Sequence, residues 1–499
     1  MAFAITQNCC NDASCLSVCP VNCIHPTPDE PEFGKTELLF IDPRSCIDCG
    51  ACADACPVDA ITRVSRLSPD QAIYADINAD FYRDRPVDNV WDAPKFPPPA
   101  VNDLPVFSVA IVGTGPAACY AAQALLRVAD TRVTFYDKLP IPGGLARYGV
   151  APDHIGTRRI GEHFRGVFEH PRVTMRLGVD VGSDIDHATI ARRFDAVVYA
   201  TGADLDRSLA LPGLDLPGSM SARTVVGWYT GHPAIPADAV DLSGIDRVVI
   251  VGNGNVALDA ARILTSDPDH LTSTEIAPHA LEQLRRSTVR EVVIVARRGP
   301  EFAAFTRSEC NALVDRPGVD VAVAGDQDVS ATIDALPISS PASALHGAEV
   351  VDPTQPSAGK RIVFAFGRAP VAITGPDRVR SIDIGIGDSE ITIPTELVLL
   401  AIGYRGTGVT GVPFDDQRGT IRNVGGRVVD ADDRPVDGSY VVGWAKRGAT
   451  GGIGDNKVDA EETVDAILED VAARSSAGGP PKRDGSWRGK VRSQMTGRW

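Results

Sequence analysis

The fold class is indicated by residues 105–138, which read PVFSVAIVGTGPAACYAAQALLRVADTRVTFYDK. An apolar run ends in a glycine turn, an alanine-rich segment follows, and a second apolar run ends at Asp137. This order is typical of a buried strand, a tight turn, a helix and a second, parallel strand. A second unit of this kind begins with DRVVIVGNGNVALDAARIL at residues 246–264 and ends with REVVIVARRG at residues 290–299. We therefore predict an α/β protein with two Rossmann-like domains.

Composition and charge limit the class of protein. The chain has 499 residues, of which 43% are hydrophobic and 23% charged, as expected of a globular protein with about three domains. Its formal net charge of −16 argues against nucleic acid as a partner. The N-terminal residues MAFAITQNCC lack the basic leader and apolar run of a signal peptide, and no apolar run is long enough to span a membrane. We therefore expect a cytoplasmic protein with no membrane partner.

The cysteines are concentrated near the N-terminus, because only Cys119 and Cys310 lie beyond residue 57. Residues 45–61 read SCIDCGACADACPVDAI, in which the cysteines are separated by two, two and three residues and followed by a proline. Bacterial ferredoxins have this run, in which three thiolates bind one iron–sulfur cluster and the fourth reaches a second cluster. A zinc site is the alternative, although zinc-binding cysteine pairs are usually farther apart. The candidate ligands of this run are Cys46, Cys49, Cys52 and Cys56.

An imperfect repeat of the run lies nearer the N-terminus, where CPVNCI at residues 19–24 corresponds to CPVDAI at residues 56–61. Applied backwards from Cys19, the same spacing reaches Cys15, Asp12 and Cys9. A carboxylate therefore replaces one thiolate of the first run. Because a carboxylate is a harder and weaker ligand for this iron than sulfur is, the first run is expected to hold its cluster less completely.

Exchange of the fourth cysteines between the two runs gives two ligand sets. The complete set is predicted to bind a [4Fe-4S] cluster and consists of Cys19, Cys46, Cys49 and Cys52. The other set, Cys9, Cys15 and Cys56, is predicted to bind a [3Fe-4S] cluster, or a second [4Fe-4S] cluster that Asp12 completes. Cys10 is a further candidate for the fourth position, whereas Cys23 is expected to pack beside a cluster.

The first glycine turn, GTGPAA at residues 113–118, has the positions that a bound pyrophosphate requires. Gly113 and Gly115 allow a tight turn and the close approach of a phosphate to the N-terminus of the following helix, and Ala118 takes the third small-residue position of this cofactor-binding turn. Asp137 ends the following strand, where a carboxylate accepts hydrogen bonds from ribose hydroxyls and repels a 2′-phosphate. This site therefore suits FAD or NAD rather than NADP.

The second glycine turn is followed by positively charged residues, whereas the first is followed by a carboxylate. The turn consists of Gly252, Asn253, Gly254, Asn255 and Val256. The next strand ends at Arg297 and Arg298, which take the place that Asp137 has in the first unit. Paired guanidinium groups suit the 2′-phosphate of NADPH, although a solvated arginine pair is the alternative.

A third glycine-rich segment, VGWAKRGATGGIGDNKVDAEET, lies at residues 442–463. It offers Trp444 as a stacking surface and a glycine loop whose N–H groups can face a flavin.

Four blocks of sequence resemble the adrenodoxin reductase family of ferredoxin–NADP reductases, and they occur in that family's order. The blocks are YDKLPIPGGLARYGVAPDH, GNGNVALDAARIL, ARRGPEFAAFTRSE and GWAKRGATGGIG. The resemblance covers about residues 105–470, and the N-terminal module is similar to the ferredoxin fused to actinobacterial reductases.

The resemblance implies which residues bind the cofactors. For FAD these are Ala117, Asp137, Leu145, Val181, Trp444, Gly451, Gly452 and Ile453; for NADPH they are residues 253–256, Arg297, Arg298 and Glu309. The resemblance also places His154 near the flavin, for proton supply or orientation, although an ordinary packed histidine is the alternative. His154 and Glu309 are therefore the candidate catalytic residues.

The predicted division of the chain follows from these motifs and from a proline-rich stretch at residues 86–107. The predicted parts are a two-cluster ferredoxin-like domain at 1–85, a linker at 86–105, an FAD-binding domain at 106–235 and 400–470, an NADP-binding domain at 236–399, and a flexible tail at 471–499.

The predicted function is that of a ferredoxin–NADP reductase, which moves electrons between NADPH and iron–sulfur clusters, with ferredoxin or another one-electron acceptor as partner. FAD is required because a hydride carries two electrons and a cluster accepts one. The alternative is an electron-delivery subunit of a larger complex, similar to the small subunit of glutamate synthase. A thioredoxin-reductase-like enzyme would need a redox-active cysteine pair, and Cys310 is alone in its part of the chain.

Overall fold

The computed structural model describes residues 2–85, 104–325, 328–337, 340–386 and 389–476. The predicted linker at residues 86–105 lies outside these ranges except for its last two residues, and the predicted tail lies outside them beyond residue 476. Among the described residues, the structure contains no helix that is both long enough and apolar enough to cross a membrane.

Residues 2–85 form a small unit, which we call the iron–sulfur module. Its elements are β1 (Phe3–Ile5), β2 (Ile24–His25), β3 (Phe40–Ile41), α1 (Ala51–Ala55), β4 (Ile61–Arg63) and α2 (Ile73–Phe81). Strand β1 pairs with β4 and strand β2 with β3, in both cases antiparallel. The candidate cluster ligands lie in the connections between these strands, which also contain α1.

The rest of the chain alternates strands and helices. Its strands are β5 (Ser108–Val112), β6 (Arg132–Asp137), β7 (Val173–Leu177), β8 (Ala196–Tyr199), β9 (Leu205–Asp206), β10 (Ser219–Ser221), β11 (Arg247–Val251), β12 (Glu291–Val295), β13 (Asp320–Ala324), β14 (Glu349–Val350), β15 (Arg361–Ala365), β16 (Ala369–Thr374), β17 (Ser381–Ile386), β18 (Ser389–Pro394), β19 (Leu397–Leu400), β20 (Tyr404–Arg405), β21 (Phe414–Asp415), β22 (Thr420–Ile421), β23 (Asn423–Val424), β24 (Arg427–Val429) and β25 (Pro435–Val441). Its helices are α3 (Pro116–Leu126), α4 (Gly144–Tyr148), α5 (Ile155–Arg158), α6 (Ile160–Phe168), α7 (His187–Ala191), α8 (Ala222–Thr230), α9 (Asn255–Thr265), α10 (Pro268–Leu271), α11 (Pro278–Arg286), α12 (Arg307–Val314), α13 (Val329–Asp334), α14 (Trp444–Arg447) and α15 (Asp455–Ser476).

Two largely parallel sheets organise these elements. The first has the strand order β23-β24-β25-β8-β5-β6-β7, and the second has the order β10-β19-β11-β12-β15-β13-β14. The strands that carry the glycine turns, β5 and β11, are buried along their whole length, as expected of central strands covered on both faces. The predicted α/β class with two Rossmann-like domains is therefore confirmed.

The boundary between the two Rossmann-like domains differs from the prediction. Strand β10 pairs with β19 in the second sheet, and helix α8 buries Trp228 and Tyr229 in the core of the same domain. The second domain therefore begins near Ser219, and the predicted boundary between residues 235 and 236 is wrong. The sequence did not reveal this strand and helix because no glycine turn joins them.

The predicted start of the tail at residue 471 is also wrong. Helix α15 continues to Ser476, and Val471 is buried in the core that this helix forms with α3. Burial of Val471 holds the last turns of the helix on the domain.

The two glycine turns are built in the same way. Gly113 and Gly252 both have a φ of 111°, in a region that residues with a side chain rarely adopt. A Cβ atom at Gly113 would lie 2.3 Å from the carbonyl oxygen of Ala200, and one at Gly252 would lie 2.3 Å from that of Ala401. In each domain the turn lies so close to the backbone at the end of the neighbouring strand that only glycine fits.

The iron–sulfur module packs directly against the first Rossmann-like domain. Buried side chains of both, including Ile5 of the module and Tyr120 of α3, belong to one continuous hydrophobic cluster. The backbone N–H of Gly454 donates a hydrogen bond to the carbonyl oxygen of Cys10 at 2.7 Å, and a Cβ atom at Gly454 would lie 2.0 Å from that oxygen. Asp59 of the module also forms an ion pair with Arg159.

A buried asparagine joins the secondary structure of the module. Asn78, in α2, is 2% exposed. Its amide oxygen accepts hydrogen bonds from the backbone N–H groups of Ile5 at 3.1 Å and Ile41 at 2.9 Å. Its amide nitrogen donates to the carbonyl oxygens of Ile5 and Tyr74, both at 2.8 Å. One side chain thus links β1, β3 and α2.

We predict that Asn78→Leu destabilises this part of the module, because each buried N–H group left without an acceptor costs about 1 to 3 kcal/mol. Hydrogen exchange measured by mass spectrometry should show the amides of β1 and β3 exchanging at least about tenfold faster than in the wild type. The control Asp76→Asn, at an exposed position of the same helix, should leave both strands protected. Unchanged protection in Asn78→Leu would contradict the assigned role of this side chain.

Candidate functional site

A small cavity in the iron–sulfur module brings together the second predicted ligand set. Its wall contains Cys9, Cys15 and Cys56, together with Asp12 and Cys10. The remaining wall is apolar and is formed by Ile5, Ala13, Leu39, Val58, Ala60 and Ile61. Three thiols, the carboxylate position and the extra thiol therefore converge on one small space, as the crossed pairing of the two runs predicts.

The chemistry of this cavity fits an iron–sulfur cluster. Burial raises the pKa of Cys9 to about 12 and raises the pKa of Cys15 well above its usual value, so a bare thiolate is strongly disfavoured here. Iron supplies the positive charge that would make these buried sulfurs stable as thiolates. The apolar wall offers no competing ligand.

The carboxylate of Asp12 already has partners at the edge of the cavity. It accepts hydrogen bonds from the backbone N–H of Ser14 at 3.3 Å and from the Ser14 hydroxyl. The ammonium group of Lys457, in α15, lies 3.9 Å from the same carboxylate and donates to the Ser14 hydroxyl at 3.0 Å. Asp12 is thus held by its own loop and by the first Rossmann-like domain.

Two cysteines of the complete ligand set, Cys19 and Cys46, contact a fifth thiol, that of Cys23, which the sequence did not assign to this set. The Sγ atoms of Cys19 and Cys23 are 3.5 Å apart, and a hydrogen bond from Cys23 lowers the pKa of both Cys19 and Cys46 to about 6. Cys52 is buried in α1, whereas Cys49 is exposed. Cys23 thus lies next to two predicted ligands of this set.

The first glycine turn meets two other segments. A Cβ atom at Gly144 would lie 2.8 Å from Cα of Gly115, and one at Gly443 would lie 2.5 Å from Cβ of Ala117. The neighbouring Leu145 is 43% exposed. The structure therefore gathers the turn, the start of α4 and the start of α14 at one end of the first sheet.

The other predicted flavin residues surround this point. The Asp137 carboxylate accepts hydrogen bonds from the Thr114 hydroxyl and from the backbone N–H of Leu139, the latter at 2.8 Å. The indole of Trp444 stacks on Tyr404, with ring centroids 6.2 Å apart, and donates to the carbonyl oxygen of Gly451 at 3.1 Å. Val181 is buried in the apolar cluster beside the strand ends, and Ala118 is buried in α3. Gly452 and Ile453 continue the loop to the contact with the iron–sulfur module.

The second glycine turn lies against the segment that carries Glu309. The side-chain oxygen of Asn255 accepts a hydrogen bond from the backbone N–H of Thr306 at 2.8 Å, and Gly254 forms a bridge with Ala304. Arg297 and Arg298 follow the end of β12, which pairs with β11 directly before the turn. Both arginines are exposed, and the Arg298 guanidinium lies over the Phe302 ring, 5.0 Å from its centroid.

A buried charge cluster joins the two Rossmann-like domains and brings the two candidate catalytic residues together. His154 Nε2 lies 3.3 Å from a Glu309 carboxylate oxygen and 3.0 Å from an oxygen of Asp259. The Arg262 guanidinium donates to Asp153 at 2.7 and 3.1 Å, to Asp259 at 2.7 Å and to Glu309 at 3.2 Å. The ligand atoms of His154, Asp259 and Glu309 lie close enough to hold a metal ion, but the guanidinium of Arg262 already donates hydrogen bonds to both carboxylates.

Sequence reasoning missed three members of this cluster, namely Asp153, Asp259 and Arg262. A signal for the last two was present, because residues three apart in a helix face the same side. Asp259 and Arg262 both lie in the block GNGNVALDAARIL, and Asp153 directly precedes His154 in the block that ends APDH.

The protonation of His154 is set by this cluster. Burial and the Arg262 charge lower its pKa, but the Glu309 and Asp259 carboxylates outweigh them and raise the pKa from 6.5 to about 10. The imidazole is therefore charged at neutral pH. Because the folded-state pKa lies above the ordinary one, the stabilisation is complete below pH 6.5 and is lost as the pH rises through 10.

We predict that His154→Gln removes this pH-dependent part of the stability, which amounts to a few kcal/mol. In urea unfolding, the difference in free energy of unfolding between wild type and variant should be largest near pH 6 and shrink towards pH 10. His270→Gln, at an exposed position in α10, should show no such trend. If the free energy of unfolding of the wild type exceeds that of His154→Gln by the same amount at all pH values, the assigned charge of His154 is wrong.

Comparison with known proteins identifies the family. A family model described as pyridine nucleotide-disulphide oxidoreductase matches residues 107–314, and one described as 4Fe-4S binding domain matches residues 39–62. The latter contains the run at 46–56 but not the repeat that includes Asp12.

Relatives match most of the chain. A probable ferredoxin/ferredoxin–NADP reductase of Mycobacterium leprae is 43% identical over 492 residues, covering 95% of this chain and 87% of the relative. A protein of the same name from Mycobacterium bovis is 45% identical over 488 residues, covering 94% and 84%. Among solved structures, Mycobacterium tuberculosis FprA in complex with NADPH has a TM-score of 0.69 and 41% identity, covering 75% of this chain and 86% of that one. The chain therefore belongs to the ferredoxin–NADP reductase family of oxidoreductases, as its sequence blocks predicted.

Proposed function

We propose that this protein oxidises NADPH at its second Rossmann-like domain and delivers the electrons, through FAD at the first, to iron–sulfur clusters in the module and on to ferredoxin or another one-electron acceptor. The observation that carries the proposal is the opposite charge after two equivalent glycine turns, Asp137 after the first and Arg297 with Arg298 after the second. Bound FAD would accept the two electrons of a hydride and release them singly.

In this proposal the first domain holds FAD, which lacks the 2′-phosphate of NADPH. Gly113 and Gly115 leave room for the pyrophosphate at the start of α3, where the helix N-terminus favours an anion. Asp137 would accept hydrogen bonds from the ribose. The remaining flavin contacts would come from Ala117, Leu145, Val181, Trp444, Gly451, Gly452 and Ile453, whereas the fully buried Ala118 would support the turn by packing inside the domain.

The second domain would hold NADPH by the turn at residues 252–256 and by the two arginines. Their guanidinium groups are exposed beside the turn, which leaves them accessible to a phosphate. His154 and Glu309 lie where the two domains meet. His154 would hold a proton at Nε2, while Arg262 fixes the carboxylates around it.

For the module we propose one [4Fe-4S] cluster at Cys19, Cys46, Cys49 and Cys52, and one [3Fe-4S] cluster at Cys9, Cys15 and Cys56. The contacts of Asp12 support the smaller second cluster, because its carboxylate is already bound by Ser14 and Lys457. A fourth iron at this position would have to compete with these partners for a ligand that iron–sulfur chemistry does not favour.

We predict that replacing both Arg297 and Arg298 by alanine raises the KM for NADPH at least about tenfold, equivalent to about 1.4 kcal/mol, and barely changes the KM for NADH. The assay is steady-state reduction of a small dye. Replacing Arg285 and Arg286, an exposed arginine pair of α11, serves as the control and should change neither constant. An equal loss with both nucleotides would show that the pair does not read the 2′-phosphate.

We also predict that the aerobically purified protein contains about seven irons per chain and gives the electron paramagnetic resonance signal of an oxidised three-iron cluster. Asp12→Cys should raise the content to about eight irons and abolish this signal, because it supplies the missing thiolate. Asp12→Asn, which adds no thiolate, should retain the three-iron signal. Eight irons without that signal in the wild type would mean that Asp12 or Cys10 completes the second cluster.

A further inference from the structure

Glu37 of the iron–sulfur module reaches the second Rossmann-like domain. One of its carboxylate oxygens accepts hydrogen bonds from both the backbone N–H and the hydroxyl of Ser308, each at 3.2 Å. The guanidinium of the buried residue Arg307 attracts the same carboxylate. The module therefore holds the start of α12, which belongs to the proposed NADPH-binding domain.

This contact completes the first turn of a short helix. Helix α12 has 8 residues, and Thr306 caps it by accepting a hydrogen bond from the N–H of Glu309 at 3.5 Å. Glu37 accepts a hydrogen bond from the N–H of Ser308, the residue before Glu309. The first N–H groups of a helix have no partner within the helix, and a carboxylate beside them is favoured by the helix dipole. Two acceptors from outside the helix thus order this turn.

The same turn carries Glu309 into the buried charge cluster. Ser308 faces the module, and the next residue, Glu309, places its carboxylate 3.2 Å from the Arg262 guanidinium and 3.3 Å from His154. Because the two residues are adjacent in one helical turn, the position of Glu309 depends on how that turn is held.

The segment that presents Glu37 is itself fixed to the loop of the second ligand set. The side-chain amide of Asn11, between Cys10 and Asp12, donates hydrogen bonds to the carbonyl oxygens of Thr36 at 3.0 Å and Glu37 at 3.3 Å. On its other side this loop contacts Gly454. A continuous set of contacts therefore runs from the first domain, through the module, to Ser308.

We propose that Glu37 is a positioning residue for oxidation of NADPH: the iron–sulfur module holds the first turn of α12 and thereby places Glu309 against His154 and Arg262. This inference rests on the proposed function. It extends that function, because it gives the module a part in the reaction of the nucleotide, in addition to the part of its clusters in electron transfer.

The test uses the full-length holoprotein, NADPH and a small dye that takes electrons from the flavin without the clusters. Glu37→Ala should lower kcat about five- to tenfold and leave the KM for NADPH within about twofold, since the nucleotide phosphates bind elsewhere. Glu37→Gln, which keeps an acceptor oxygen at the same distance, should restore kcat to within about twofold of the wild type. Asp29→Ala, at an exposed position of the same module, should leave both constants unchanged.

A second variant in the other domain keeps the test decisive if Glu37→Ala loses iron. Ser308→Ala removes one donor to Glu37 and leaves the module intact, so it should also lower kcat. The double variant Glu37→Ala/Ser308→Ala should have a kcat no lower than that of Glu37→Ala alone. An unchanged kcat in Ser308→Ala and Glu37→Ala, or additive losses, would overturn the inference. Failure of the wild type to reduce the dye with NADPH would instead remove the proposed function.

Discussion

The burial of Arg262 is the constraint that ties the two Rossmann-like domains together. Its side chain is 6% exposed, and a buried guanidinium is stable only when carboxylates surround it. Asp153 comes from the first domain, whereas Asp259 and Glu309 come from the second. Loss of one partner from such a buried pair typically costs about 3 to 5 kcal/mol, so the relative position of the domains is bound to this cluster. His154, held in the same cluster, takes its charge from it.

The iron–sulfur module adds a second set of contacts across the same junction. It meets the first domain at Gly454 and Lys457, and the second domain at Ser308. Any rotation of one domain against the other would have to break contacts on one side of the module. In this arrangement the cavity of Cys9, Cys15 and Cys56 lies beside the loop that carries Trp444 and Gly451 to Ile453, so the proposed flavin and cluster sites are neighbours through a direct backbone contact.

The sequence revealed those features that depend on local geometry. The glycine turns at Gly113 and Gly252 were predictable because their positive φ and lack of space for a Cβ atom admit one residue type. The run at residues 46–56 was predictable because its spacing is set by the cluster that it wraps. Contacts between residues far apart in the chain were not predicted, because such residues have no fixed spacing. These contacts are those of Glu37 with Ser308, of Cys10 with Gly454, and of Arg262 with Asp153; the pair Asp259 and Arg262 in one helix was also missed. The first strand of the second domain, at Ser219, was missed because no glycine turn marks it.

The central proposal is that one chain takes electrons from NADPH, holds them on a flavin and passes them to its own clusters. Anaerobic titration of the purified protein with NADPH tests this most directly, with the flavin followed by visible absorption and the clusters by electron paramagnetic resonance. We expect NADPH to bleach the flavin absorption and to change the cluster signals in the same sample, without another protein. The proposal would be contradicted if the flavin stayed oxidised with NADPH but was bleached by dithionite. It would also be contradicted if NADPH fully reduced the flavin and left the cluster signals unchanged.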